Sequence, residues 1–189
     1  SQPSAAAGRE TITLYHGSPA TFSAIDSEKI GLGQNLVGKG FYTDTSVSGV
    51  HYAMEEINHQ NFYVYEVEIP SDSLVLDRWN NASFTDELRE RIRSAGKSVD
   101  LPHKENEGIS RSEMANKLAD SEKIDGTFLQ FASSEQGMNI LKEAGVAALK
   151  DNSYVTIINT DLVDNIRLHS AGGNIKAEMS QYIEKASGH

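Results

Sequence analysis

Cysteine is absent from this chain of 189 residues. Its absence excludes disulfide bonds, thiolate zinc sites and cysteine nucleophiles together, so any catalytic chemistry must come from other side chains. Long apolar runs are also missing, and none approaches the length of a bilayer-spanning helix. With 38% hydrophobic residues and a mean hydropathy of -0.44, the composition is typical of a soluble globular protein. We expect no membrane association.

Positive charge is in short supply as well. Seventeen lysines and arginines stand against 27 acidic residues, which gives a net charge of -10. Nonspecific nucleic-acid binding depends on lysine and arginine displacing counterions from phosphates, so this balance disfavours nucleic acid as a partner. A protein partner is favoured instead.

Several common catalytic motifs are also missing, namely the nucleophile elbow, the Walker-type loop and the Rossmann fingerprint. The run Gly31-Leu32-Gly33 begins like a glycine-rich loop but lacks the third glycine and the preceding strand. His51 and Glu55 have the spacing of metal ligands on a helix, yet no second histidine follows. We interpret them as a helix-surface pair and expect no metal site.

The stretch from Leu14 to Tyr52 is the part of the sequence that indicates chemistry. A short apolar strand ends at His16-Gly17-Ser18, and after a loop a second strand, Gly40-Phe41-Tyr42-Thr43, runs into a helix that begins near Ser46. A strand, a turn and a helix in this order predict a cleft. Taken alone, His16 would be a satisfied histidine at a strand end and Tyr42 and Tyr52 ordinary core aromatics.

In combination, the segments His16-Gly17-Ser18, Gly38-Lys39-Gly40-Phe41-Tyr42 and Tyr52 resemble the NAD-binding core of the ADP-ribosyltransferases of the diphtheria-toxin and poly(ADP-ribose) polymerase type. The resemblance implies that the histidine holds the adenosine ribose. It implies that the following glycine offers its backbone to the nicotinamide amide, and that two tyrosines sandwich the nicotinamide ring.

These residue types suit those tasks. A backbone can approach a planar carboxamide closely only where no Cβ intervenes, and aromatic faces can hold a flat ring in one orientation. Ser18 could instead only close a turn, and Gly49 could serve either packing or close approach of a ligand. With NAD as the co-substrate, the predicted binding residues are His16, Gly17, Ser18, Gly40, Tyr42, Gly49 and Tyr52.

The third catalytic position departs from the family pattern. The family carries a glutamate at the start of a late strand, where it stabilises the oxocarbenium-like transition state, whereas Ser153 stands at the matching position here. Serine brings no full negative charge, so this stabilisation is reduced. Asp151, Glu135 or Glu143 could supply a carboxylate instead, or the domain could do without one. We predict His16, Tyr42 and Ser153 as catalytic and at most mono-ADP-ribosyl transfer.

The order of short strands and helices predicts an α+β domain. The resemblance narrows that to a split, mostly antiparallel sheet with surrounding helices and an NAD-binding cleft. We predict strands at 62–69, 146–149, 154–158 and 166–168 and helices at 85–93, 110–118 and about 134–144. Residues 1–9 are interpreted as a linker or boundary segment, 10–170 as one catalytic domain, and 171–189 as a tail that could form a helix.

The sequence therefore predicts an NAD-dependent mono-ADP-ribosyltransferase, a glycosyltransferase, that modifies a protein acceptor and could act as a bacterial toxin or effector. Its compartment, bacterial cytoplasm or a target cell reached by delivery, is left open, and an immunity or antitoxin protein is a further expected partner. An NAD glycohydrolase of the same fold and an inactive module that binds NAD, ADP-ribose or protein are the alternatives.

Overall fold

The computed structural model describes residues 10–21, 40–56, 61–98 and 108–172. The chain divides into two compact units, and segments of the two units alternate along the sequence. The first unit consists of the described residues within Ser1–Asp26, Tyr42–Asp72 and Asp161–His189, and the second consists of those within Ser27–Phe41 and Ser73–Thr160. The prediction of one domain over residues 10–170 stays a prediction.

The described residues form seven strands and five α-helices. The strands are β1 (Thr11–Ser18), β2 (Phe41–Asp44), β3 (Phe62–Pro70), β4 (Val75–Asp77), β5 (Ala148–Asp151), β6 (Tyr154–Ile157) and β7 (Asn165–Gly172). The helices are α1 (Val47–Glu56), α2 (Asp86–Ala95), α3 (Arg111–Ala119), α4 (Gly126–Ala132) and α5 (Glu135–Glu143). Two short 3-10 helices cover Asn81–Ser83 and Thr160–Leu162.

The first unit is an antiparallel sheet with one helix. Its strands run in the order β2-β1-β3-β7, and β1 pairs with β3 along its whole length, from Thr11 opposite Pro70 to Ser18 opposite Tyr63. Strand β1 also pairs antiparallel with β2, with Tyr15 opposite Asp44. Helix α1 packs on this sheet through a small apolar cluster of Val50, Met54, Phe62 and Val64.

The second unit combines three strands with four helices. Strand β4 runs parallel to β5, and β5 pairs antiparallel with β6. Helices α2 to α5 enclose the larger apolar core, because each presents its buried positions at helical spacing. The largest fully buried side chains of that core are Phe128, Leu76, Leu88, Ile92, Leu118, Ile124, Ile140, Leu141 and Leu149.

Side-chain caps fix where the helices of the second unit begin. Thr85, Ser110, Asp125 and Ser134 each accept a hydrogen bond from a backbone N–H in the first turn of α2, α3, α4 and α5. Gly145 follows the last turn of α5 with φ +97, the left-handed conformation that glycine adopts without strain. The predicted helices at 85–93, 110–118 and about 134–144 are confirmed to within two residues at each end.

The coarse α+β prediction is confirmed, and four of the five strand pairings described within the two units are antiparallel. Two elements were not predicted: β4, which is three residues long, and α4, which begins with a glycine. Ala171 and Gly172, the first two residues of the predicted tail, belong to β7. The predicted helix at 175–185 lies outside the described residues. In the described part of the chain, no helix has the length and apolar character needed to cross a bilayer.

Candidate functional site

His16 lies near the end of β1 and is fixed by a bond to the next strand. Its Nδ1 lies 2.6 Å from the backbone carbonyl oxygen of Tyr42 on β2. A carbonyl oxygen only accepts hydrogen bonds, so Nδ1 carries the hydrogen and donates it. In the neutral ring Nε2 is then the acceptor nitrogen. Burial lowers the pKa of His16 below its usual 6.5, outweighing the opposite effect of the Tyr42 carbonyl, and the ring is neutral at neutral pH.

This lowered pKa predicts that the protein loses stability in mild acid. As the pH falls below 6.5, His16 takes up its proton in the unfolded chain before it does so in the folded protein. The neutral ring therefore contributes fully to folding stability above pH 6.5, and this contribution declines as the pH falls towards the lower pKa of the folded state. Melting temperatures measured from above pH 6.5 down to about pH 5, where carboxylates begin to titrate, should fall more steeply for the wild type than for His16→Asn. The asparagine keeps an N–H donor for Tyr42 and does not titrate. Parallel curves would contradict the assignment.

Gly17 faces helix α1. A Cβ added to Gly17 would stand 2.7 Å from Cγ of Met54 and 2.8 Å from Cγ1 of Val50. Glycine at this position therefore allows β1 and α1 to approach each other closely. This is a structural reason for the residue, in addition to the predicted contact of its backbone with the nicotinamide amide. Next to it, the Ser18 hydroxyl donates to the carbonyl oxygen of Ala20 at 2.6 Å and accepts from the Ala20 N–H. Ser18 thus closes a turn, the alternative left open for it.

Gly49 has a structural reason as well. The carboxylate of Asp44, which is buried, occupies the space where a Gly49 side chain would begin. Asp44 accepts hydrogen bonds from the N–H and hydroxyl of Ser46, and the Ser46 hydroxyl accepts from the Gly49 N–H. This chain of bonds starts α1 directly after β2. Packing against Asp44 explains Gly49 without a ligand.

Tyr52 lies on the outer face of α1. It is two residues from both Val50 and Met54, and positions two apart on an α-helix point roughly 200° away from each other. Because Val50 and Met54 face Gly17, the Tyr52 ring points away from Gly17, and it is 60% exposed. This orientation argues against the predicted nicotinamide sandwich between Tyr42 and Tyr52. The ring-binding role of Tyr52 stays a prediction without structural support.

The remaining predicted residues lie in the second unit. Gly40 stands beside β6, where a Cβ would come within 2.6 Å of Cγ2 of Thr156 and 2.7 Å of the Ile157 carbonyl oxygen, so packing accounts for this glycine. Ser153 lies in the tight turn between β5 and β6, next to Asn152 with its φ of 55. The turn therefore presents Ser153 immediately before β6, at the beginning of a late strand.

The alternative carboxylates differ in how they are engaged. Asp151 accepts from Nη1 of Arg78 at 3.0 Å through one oxygen and from the indole Nε1 of Trp79 at 2.9 Å through the other. Glu143 pairs with the buried guanidinium of Arg111 and accepts from the Ser98 hydroxyl. Glu135 is the exposed first residue of α5. Two of the three alternatives thus hold structural partners, which weakens their claim to a catalytic role.

His51, which with Glu55 is not predicted to bind a metal, packs against an aromatic neighbour. The His51 ring meets Phe62 edge to face, with the ring centroids 4.9 Å apart. Within residues 10–21, 40–56, 61–98 and 108–172, no three His, Asp or Glu side chains are grouped to share a metal ion. Sequence reasoning missed Asp44, although an aspartate two residues before a helix-capping serine is a recognisable start signal.

Comparisons with known proteins add no family. No family model, no curated protein and no solved structure matches this chain.

Proposed function

We propose that this protein is an NAD-dependent mono-ADP-ribosyltransferase that modifies a protein acceptor. The observation that carries the proposal is the bond between His16 and the Tyr42 carbonyl, which joins the two segments of the sequence that resemble the family. Those segments are far apart in the chain, yet they meet on neighbouring antiparallel strands, with Gly17 beside the histidine. The finer fold proposed with it is the split, mostly antiparallel sheet with an NAD cleft, supported by the antiparallel pairing of β1 with both β2 and β3.

The state of His16 suits a sugar ligand. A neutral imidazole whose Nδ1 donates to Tyr42 has an acceptor at Nε2, and a ribose hydroxyl is a donor. In the proposed complex His16 orients the adenosine ribose, the Gly17 backbone binds the nicotinamide amide, and the Tyr42 ring packs on the nicotinamide. Because the Tyr42 carbonyl positions His16 and the Tyr42 ring packs on the nicotinamide, Tyr42 contributes to binding both the adenosine ribose and the nicotinamide.

The proposed reaction breaks the bond between the ribose C1′ and the nicotinamide nitrogen. The electron pair of that bond leaves with nicotinamide, which neutralises its ring, and a nucleophile of the acceptor attacks C1′ and then loses its proton. The protein contributes positioning and a dry, ordered site. Ser153 is the proposed third position, and without a glutamate there the enzyme is proposed to stop after one ADP-ribose. A toxin or effector role is part of this proposal.

A second candidate is an inactive module that binds NAD or ADP-ribose. The observation that favours it is that Asp151 and Glu143 are each bound to structural partners. The third position then holds a serine, and neither of these two carboxylates is assigned to it. Binding would then depend on the same His16 and Gly17, without loss of nicotinamide.

One experiment separates these functions. The protein is incubated with tagged NAD and a host-cell lysate, and both label on macromolecules and free nicotinamide are followed. Labelled protein together with released nicotinamide supports the transferase, whereas nicotinamide without label identifies a glycohydrolase. Stabilisation of the protein by NAD with no nicotinamide release identifies the binding module. Absence of all three signals at millimolar NAD contradicts the proposal.

A further inference from the structure

Trp79, the chain's single tryptophan, is 66% exposed. It follows β4 in the second unit, before the 3-10 helix Asn81–Ser83. An isolated apolar residue on a surface needs no explanation by itself, so the exposure matters only together with what surrounds it.

The exposed indole is held in a fixed position. Its Nε1 donates to Oδ1 of Asp151 at 2.9 Å, and its backbone N–H donates to Oδ1 of Asp77 at the same distance. The Arg78 guanidinium lies 5.1 Å from the centre of the ring and donates to Oδ2 of Asp151 at 3.0 Å. We call Arg78, Trp79 and Asp151 the Trp79 cluster. An exposed aromatic side chain that is already ordered loses little conformational entropy on binding a partner.

The cluster is attached to the turn that carries Ser153. Asp151 is the last residue of β5, and it pairs across the hairpin with Tyr154, the first residue of β6. Both side chains bound to Asp151 therefore stand beside the two-residue turn, Asn152 and Ser153. If Ser153 is the third position of a transferase, any macromolecular acceptor must come close to this turn.

The chemistry of the cluster favours a protein surface over nucleic acid. Asp151 neutralises Arg78, so the cluster presents an aromatic face and a paired guanidinium instead of a net positive charge. Phosphate backbones require unpaired cations, and the whole chain is acidic. Tryptophan and arginine are, with tyrosine, the residue types most enriched among those that carry the binding energy of protein interfaces.

We infer that Trp79 is a contact residue for the protein acceptor, placed by Asp151 beside the turn that carries Ser153. This inference rests on the proposed transferase function. Trp79 acts on acceptor choice and not on NAD, so its loss affects transfer to protein and leaves hydrolysis of NAD by water unchanged.

The test compares wild type, Trp79→Ala and Trp79→Phe. Each protein is assayed twice with tagged NAD, once in buffer for nicotinamide release and once in lysate for labelled protein. For Trp79→Ala we expect labelling to fall by about tenfold or more with release in buffer unchanged, whereas Trp79→Phe, which keeps an aromatic face, retains most of the labelling. Melting temperatures confirm that the variants fold.

The outcomes are distinct. Unchanged labelling by Trp79→Ala overturns the inference and leaves the transferase standing. An equal fall in labelling and in release also overturns it, since Trp79 would then support the hairpin or the fold. A wild type that labels no protein, whether or not it releases nicotinamide, overturns the proposed transferase, and this inference with it.

Discussion

Replacing Gly137 with alanine should cost about 3 kcal/mol of unfolding free energy, the upper end of the usual range for overpacking. Gly137 lies in the first turn of α5, where its N–H donates to the hydroxyl of the N-cap Ser134 at 3.0 Å. A Cβ on Gly137 would overlap the backbone carbonyl oxygen of Phe131, which itself accepts from the Ser134 hydroxyl. Because the obstruction is backbone, no side-chain rotation relieves it, and α5 must shift away from the end of α4.

Thermal denaturation measures this effect directly. For a chain of this size, the expected loss corresponds to a fall of roughly 10 °C in melting temperature. Gly126→Ala is the matched control, since Gly126 begins the neighbouring helix α4 and nothing lies within 4 Å of an added Cβ. Alanine there should leave stability unchanged or raise it by up to about 1 kcal/mol, because it favours the helix. Similar melting temperatures for both variants would contradict the close approach of Gly137 to the Phe131 carbonyl.

The parts of this fold that the sequence predicts well are those with a local cause. Strand β3 is recognisable because aromatic and β-branched residues alternate until Pro70, and α5 because Ser134 and Gly145 mark its two ends. Each signal depends on residues within a few positions of one another. Tertiary packing does not need to be known to find them.

The parts that the sequence does not predict depend on contacts between distant segments. Strand β4 has three residues, too few for a periodic pattern, and exists because it lies parallel to β5 some 70 residues later. The glycines predicted to bind NAD show the same limit. Gly49 and Gly40 have neighbours, Asp44 and the Ile157 carbonyl, that account for glycine by packing alone. A glycine in a motif indicates close approach, but only the fold shows what approaches.

Sequence reasoning also cannot distinguish the two tyrosines of the predicted nicotinamide sandwich. Both follow the glycine-rich segment, yet Tyr42 lies on a strand and holds His16 through its carbonyl, whereas Tyr52 points outward from α1. The helical spacing places Tyr52 on the opposite face of α1 from Val50 and Met54. Which of these faces packs on Gly17 is known only from the structure. The proposed binding of NAD therefore depends on His16, Gly17 and Tyr42.

His16→Asn should reduce the rate of nicotinamide release from NAD by about 100-fold or more while leaving the fold intact, since small errors in substrate position cost that much. Asparagine keeps an N–H donor at the position of Nδ1, so the bond to the Tyr42 carbonyl can persist. It has no counterpart of Nε2 at the far side of the ring. The variant thus removes the proposed acceptor for the ribose hydroxyl and retains the link between β1 and β2.

The same sheet offers a matched control. His169 on β7 is an exposed histidine whose ring meets Tyr15 edge to face at 5.4 Å, and it takes no part in the proposed site. His169→Asn should release nicotinamide at the wild-type rate. Tyr42→Ala should lose activity as His16→Asn does, because the nicotinamide loses its ring contact although the Tyr42 backbone carbonyl remains in place. Rates for His16→Asn and Tyr42→Ala that match wild type, with unchanged melting temperatures, would remove the basis for NAD binding at this strand pair.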